Sequence, residues 1–256
     1  MALLAVDIRN GHTSLGLLRA AEVVDTWRVS SDPARTSDEW GVLVRGLLGA
    51  AAAEVGGVAL CATVPAVLHE WRSVLTDSFG GVPHVVVEPG TRTGLPVLMD
   101  NPREVGADRI CNAVAVATGG VPAVVVDFGL ATTFDVVDAE GRYIGGVIAP
   151  GIEASLEVLG DRAAQLRQVE LARPRRVIAK NTVEAMQSGL VFGFASQVEG
   201  LVERITTELD VVPGALRVVA TGHLAPLIVD ECGCFTHHDP WLTLQGLRLL
   251  FERNAD

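Results

Sequence analysis

Three short stretches bring acids, amides and hydroxyls together at spacings that could handle a phosphorylated substrate. The first is Asp7-Ile8-Arg9-Asn10-Gly11-His12-Thr13-Ser14. A carboxylate at a strand end can hold a hydrated magnesium ion, while backbone N–H groups and the Asn10 and Thr13 side chains can hydrogen-bond phosphate oxygens. An Asx-type turn with Gly11 at positive φ accounts for the same residues without a ligand, and taken alone it is the simpler reading. The second stretch is Asp127-Phe128-Gly129-Leu130-Ala131-Thr132-Thr133-Phe134-Asp135. Gly129 permits close backbone approach, and two adjacent hydroxyls on a returning strand can face a phosphate chain. A plain hairpin, with threonines present for their β-propensity, explains it equally. The third is Glu104-Val105-Gly106-Ala107-Asp108-Arg109-Ile110, at the start of a helix. Asp108 can accept a proton from a substrate hydroxyl while Arg109 binds a carboxylate bidentately. The competing account is a first-turn acid that stabilises the helix dipole.

Weaker signals lie further along. Asn181-Thr182-Val183-Glu184 resembles a capping box at a helix start. Thr221-Gly222-His223 suits a strand-to-helix turn near a nucleotide, although a lone histidine there is more often a solvated turn residue. Cys232-Gly233-Cys234 with His237 and His238 invites a metal reading, but a C-x-C spacing with no second cysteine pair is weak evidence for zinc.

The elements that must carry these stretches follow a repeated order. Apolar runs at residues 3–6, 15–18 and 23–29 predict three strands joined by tight turns. A helix at 37–53, a strand at 58–61 and a helix after Pro65 come next. From about residue 120 the order begins again, with strands at 123–126, 132–137 and 143–148 and helices from Gly151 and Thr182. Asp127 aligns with Asp7 and Thr133 with Thr13, which points to a duplicated unit. The expected domains are 1–117 and 118–256, with the hinge within residues 115–122. Two such hairpins facing one another would clamp a metal-bound polyphosphate.

Composition narrows the field. The chain's 256 residues carry 20 Lys+Arg against 31 Asp+Glu, a net charge of −11, which disfavours duplex nucleic acid and anionic membranes as partners. Lys180 is the sole lysine and sits in Ala-Lys-Asn-Thr, not in a GxxxxGK[ST] loop, so a Walker-type nucleotide site is excluded. The cysteines Cys61, Cys111, Cys232 and Cys234 have no zinc-ribbon spacing, and a reducing cytoplasm fits them best. The N-terminal residues lack a basic region and reach an acid at Asp7, so no signal peptide is expected. The uncharged run 110–126 is interrupted by Asn112, Gly119, Gly120 and Pro122 and does not read as a membrane span.

Taken in order, these stretches make the chain resemble the type III pantothenate kinases along nearly its whole length. The most specific matches are Asp100-Asn101-Pro102-Arg103-Glu104-Val105-Gly106-Ala107-Asp108-Arg109, Val126-Asp127-Phe128-Gly129, Gly145-Gly146-Val147-Ile148-Ala149-Pro150-Gly151, and Asn181-Thr182-Val183-Glu184-Ala185-Met186-Gln187-Ser188-Gly189. The resemblance implies an α/β chain of the actin-like ATPase (ribonuclease-H-like) fold, with two duplicated βββαβα-type domains, acting as a homodimer. It implies ATP-dependent phosphorylation of pantothenate, with Mg2+ and a monovalent cation, K+ or NH4+. By position, Asp7 to Ser14 match the first phosphate loop and Asp127 the monovalent-cation ligand. Gly106, Ala107, Asp108 and Arg109 match the pantothenate segment, with Asp108 as proton acceptor. Thr182 matches a threonine that reaches pantothenate across the dimer interface.

The departures from the family pattern fall mostly on the ATP side. The first loop usually reads Asp-x-Gly-Asn-Thr, but Arg9 takes the glycine position and Gly11 the threonine position. Leu130 stands where a threonine usually contacts ATP. Met99 replaces a pocket tyrosine, and His223 replaces a turn glycine. Gly11 and Leu130 each delete a hydroxyl, which leaves two further readings open. One is a catalytically impaired kinase-like binding or regulatory protein. The other is a paralogue that phosphorylates a different small hydroxy acid.

Overall fold

The computed structural model describes residues 1–162, 169–212 and 214–255. Apolar runs that end in an acid become the central strands of two five-stranded sheets. In the first, β1 (Ala2–Ile8), β2 (His12–Arg19) and β3 (Glu22–Ser30) form an antiparallel meander, and β4 (Val55–Ala62) and β5 (His84–Val86) join β1 in parallel, in the order β3-β2-β1-β4-β5. The second sheet repeats that topology. Here β6 (Ala123–Phe128), β7 (Ala131–Val137) and β8 (Tyr143–Pro150) are antiparallel, β9 (Arg217–Thr221) and β10 (His237–His238) add in parallel, and the order is β10-β9-β6-β7-β8.

Side-chain alternation gives the first sheet two different faces. Leu4, Val6, Ile8, Leu15 and Leu17 pack with Trp40 and Val44 of α1 (Ser37–Leu48) and Trp71 of α2 (Pro65–Phe79). The helix α1 starts at a true capping box, in which Thr36 accepts from the Glu39 N–H and the Glu39 carboxylate accepts from the Thr36 N–H. In the second sheet, Val124, Val126 and Phe128 share a core with Leu190, Val191 and Val198 of α5 (Thr182–Glu208). The helices α3 (Ala107–Ala117), α4 (Ile152–Arg162), α6 (Ala225–Ile228) and α7 (Leu242–Asn254) complete the chain.

The structure corrects the expected domain limits. One compact unit comprises Met1–Ala115 with Trp241–Asp256, and the other comprises Val116–Pro240. The boundary thus falls in the last turn of α3, and α7 belongs to the first unit although it lies at the far end of the sequence. Glycines explain the return. α7 packs on β1, β2, β4 and β5, where Gly16 and Gly57 leave room on the sheet for Leu244 and Phe251. Gly246 lets α7 lie directly against the Cys111 carbonyl of α3, which a Cβ would overlap. Gly246→Ala should therefore destabilise the protein by about 1–3 kcal/mol, read as a lower Tm. Gly46→Ala on the exposed face of α1 has open space and should instead stabilise by up to about 1 kcal/mol.

Candidate active site

In the first unit β1 carries Asp7 between Ser14 on β2 and Cys61 on β4. Its side chain is only 6% exposed, yet both carboxylate oxygens are engaged. Arg9 Nε donates to Oδ2 at 2.6 Å, and the Cys61 thiol donates to Oδ1 at 3.4 Å. The same guanidinium donates from Nη2 to Thr243 Oγ1 at 2.9 Å, and Thr243 donates to Asn112 Oδ1 at 2.7 Å. Asn10 and Gly11 stand exposed at the hairpin tip. Gly11 does not have positive φ, so the left-handed turn expected there does not form.

Thr13 does not face the tip as expected. It pairs with Ile8, one register step beyond Asp7, and its hydroxyl is fully buried against Ser31 Oγ at 2.8 Å. Ser14, opposite Asp7 and half-buried, is the hydroxyl on the acid's face of the sheet. Ile8 is fully buried, and its carbonyl accepts from the Thr63 N–H. His12 lies 3.1 Å from Arg28 Nη2.

Gly106 precedes α3, and a Cβ there would sit 2.6 Å from Asp108 Oδ1, so glycine lets this first-turn carboxylate curl back over the helix start. Gly106, Ala107, Asp108 and Arg109 are all half-buried. A hydrogen bond with Cys111, then burial, then the charges of Asp7 and Asp108 push the Cys61 thiol well up, so it stays protonated. The candidate metal-side acid and the candidate base therefore both lie near one buried pair of thiols.

The second unit repeats the arrangement with one residue fewer in its hairpin. Asp127 pairs with Thr133 and Phe128 with Thr132, so Thr133 corresponds to Ser14 and Thr132 to Thr13. The Thr13–Thr133 alignment read from the sequence is one residue out of step. Thr132 is buried and its hydroxyl has no partner among the described residues. Asp127 is 3% exposed. Gly222, at φ +90°, crosses directly over it: a Cβ would lie 2.6 Å from both Asp127 Oδ1 and the Phe128 carbonyl. On the same face, buried Asp135 accepts from Tyr143 Oη at 3.0 Å and Thr133 Oγ1 at 3.4 Å. Leu130 projects from the hairpin, 56% exposed. Gly151 lets the start of α4 lie against the Gly129 and Leu130 carbonyls. His223 is no free turn residue; its Nε2 lies 3.3 Å from the Glu153 carboxylate on α4.

Thr182 is exposed at the first turn of α5. Asn181 caps this helix by accepting from the Glu184 N–H at 2.9 Å. Glu184 is drawn instead to Arg175 at 2.7 Å, so only half of the anticipated capping box forms. A hydrogen bond with Cys234 and burial raise the Cys232 thiol, while the hydrogen bond from Cys232 lowers Cys234. Among the described residues no group of three or more His, Cys, Asp or Glu is disposed to hold a metal ion.

Cys61, Asn112, Tyr143 and Thr243 did not emerge from the sequence as site residues. Cys61 had a usable signal, since the last apolar residue of a strand parallel to β1 falls beside Asp7. Thr243 and Asn112 had none, because only tertiary packing pairs them.

Two sheets of one topology, each with an acid at the end of its first strand beside a tight hairpin, define the class: an actin-like ATPase and sugar-kinase fold. Solved structures agree. A Campylobacter jejuni chain described as a Baf family transcriptional activator superposes with a TM-score of 0.63 at 16% identity, covering 98% of each chain. An inorganic polyphosphate/ATP-glucomannokinase from an Arthrobacter species gives 0.50 at 11% identity, covering 99% of each chain. Likenesses at such identities speak to fold alone. The family is set by sequence. The family model of type III pantothenate kinase matches residues 3–204, and a type III pantothenate kinase of a Nocardioides species is 66% identical over 100% of both chains. The chain belongs to the type III pantothenate kinase family.

Proposed function

We propose that the chain transfers the γ-phosphoryl group of ATP to the primary hydroxyl of pantothenate, giving 4'-phosphopantothenate, the first step of coenzyme A biosynthesis. The observation that carries this is the recurrence of one acid-and-hairpin device at equivalent strands of both sheets, in a chain 66% identical to a named kinase of this type. Phosphoryl transfer asks mainly for positioning and charge stabilisation, which such loops provide without a Walker lysine.

Asp108 takes the proton of the attacking hydroxyl, and Arg109 binds the pantothenate carboxylate through its planar fork. Asp7, with the backbone of residues 8–14, faces the metal-bound phosphates. Magnesium is commonly held by one or two carboxylates together with substrate phosphates, and a single acid at a strand end suits that use. The Asp127 carboxylate and the Phe128 carbonyl, both close under Gly222, are hard oxygen donors that fit K+ or NH4+. These cations offset the charge on ATP.

The homodimer reading draws support from exposed apolar side chains: Val158 and Leu159 on α4, and Val177, Ile178 and Val183, which flank Thr182 in the sequence. Light scattering on a sizing column should give twice the chain mass. All four cysteines are free, which fits a cytoplasmic protein. No described helix is long and apolar enough to cross a membrane. The test of the activity is ADP release that depends on pantothenate, Mg2+ and K+ together.

Gly11 and Leu130 favour a second reading, a kinase-like binding module, because both stand open to solvent with no hydroxyl to offer. Gly11 has open space around its Cβ position and no positive φ, so threonine fits there without strain. One hydrogen bond to a charged group contributes about 1.5–3 kcal/mol. Gly11→Thr should therefore lower the KM for ATP by roughly tenfold to a hundredfold, with Leu130→Thr adding to it. An unchanged KM would clear these two positions of any part in weak ATP use.

A further inference from the structure

We propose that Arg9 is a built-in cation for Asp7, standing where a divalent metal would act while no nucleotide is bound and setting how strongly the loop binds metal. This rests on the reading that Asp7 serves the metal-bound phosphates.

The pair is not a surface ion pair. The Asp7 side chain is 6% exposed and that of Arg9 24%, with Nε and Oδ2 2.6 Å apart. At that burial an unpaired carboxylate is costly, so Asp7 needs a positive partner whenever metal is absent. Nor is Arg9 free to swing. Its backbone N–H donates to the His12 carbonyl at 3.0 Å, which fixes the turn. Its Nη2 is held by Thr243, and Thr243 by fully buried Asn112. The guanidinium thus ties together the end of β1, the start of α7 and the middle of α3, the helix whose first turn carries Asp108.

Three consequences follow from the chemistry. The guanidinium stays charged at any working pH, so only displacement can release Asp7. Cys61 occupies the other carboxylate oxygen at 3.4 Å, so a metal ion cannot reach Asp7 without competing. A released Arg9 presents a planar fork of donors to phosphate oxygens, which bare metal does not supply. Metal therefore enters this loop with the nucleotide and not before it, and Arg9 passes from carboxylate to phosphate as it does so. This gives Arg9, which departs from the family's usual glycine, a positioning role in place of the missing Gly11 hydroxyl.

The test is Mn2+ binding to the nucleotide-free protein, read from the electron paramagnetic resonance signal of free Mn2+. Wild type should bind Mn2+ weakly, and Arg9→Gln, which keeps a polar side chain but loses the charge, should bind it at least about tenfold more tightly. Arg9→Lys, which keeps the charge, should stay near wild type, and Arg9→Gln with Asp7→Asn should lose the gain. Thermal melts confirm that each variant is folded, and Arg9→Gly supplies the same charge deletion if the glutamine variant does not fold. Unchanged or weaker Mn2+ binding in the charge-deleted variant overturns the proposal. Asp7→Asn alone, titrated with Mn2+ and ATP together, tests the underlying reading separately: if ternary binding is unaffected, Asp7 does not serve the metal-bound phosphates.

Discussion

Asp108→Asn should lower kcat by about 10²–10⁴-fold while pantothenate still binds. Asparagine keeps the size of the side chain and removes only the capacity to accept a full proton. Gly106 shapes the site for a side chain of this size, since the Asp108 carboxylate folds back to within 2.6 Å of where a Cβ would stand. The helix start that carries it is anchored by the Ile110 N–H to Gly106 carbonyl hydrogen bond at 3.1 Å, so the substitution leaves the backbone in place. Calorimetric titration with pantothenate should then give a near-normal Kd beside the collapsed kcat. Full activity in Asp108→Asn would mean that the assigned base is wrong.

Gly222→Ala should damage the second unit's site as a steric event. The residue sits at φ +90°, where a side chain is strained, and the added methyl would fall 2.6 Å from the Asp127 carboxylate and 2.7 Å from the Phe128 nitrogen. Two of the three nearest atoms are backbone of a central strand and cannot move aside cheaply. The variant should lose about 1–3 kcal/mol of stability. It should also need on the order of tenfold more K+ for half-maximal activation, because Asp127 is pushed from its place. Potassium titration in a constant-ionic-strength sodium buffer, beside a thermal melt, separates the two effects. A variant that melts lower but keeps its potassium dependence would remove Asp127 from the cation site.

The strands that hold these residues were legible because their apolar runs end in polar turns. β1 and β6 show this most clearly, each closing on an acid. The hairpin registers were harder. The loop after Asp127 is one residue shorter than the loop after Asp7, and a single residue swaps which threonine faces the acid and which is buried. In the first hairpin Ser14 therefore stands opposite Asp7, while Thr13 is buried against Ser31. β5 and β10, with three residues and two, are too short to leave a pattern. The return of α7 to the first unit could not be read locally, because it depends on Gly16 and Gly57 meeting side chains, and Gly246 meeting backbone, of distant segments. The Arg9–Thr243 bond spans 234 positions, and spacing arguments do not reach that far.

The most direct measurement identifies the product. Purified protein is incubated with ATP, Mg2+, K+ and pantothenate, and phosphorus NMR with mass spectrometry follows the phosphoryl group. ADP and 4'-phosphopantothenate should form in equal amounts, with both absent when pantothenate is omitted. ADP without phosphopantothenate, or neither product from a folded protein with any nucleotide donor, would contradict the proposed activity.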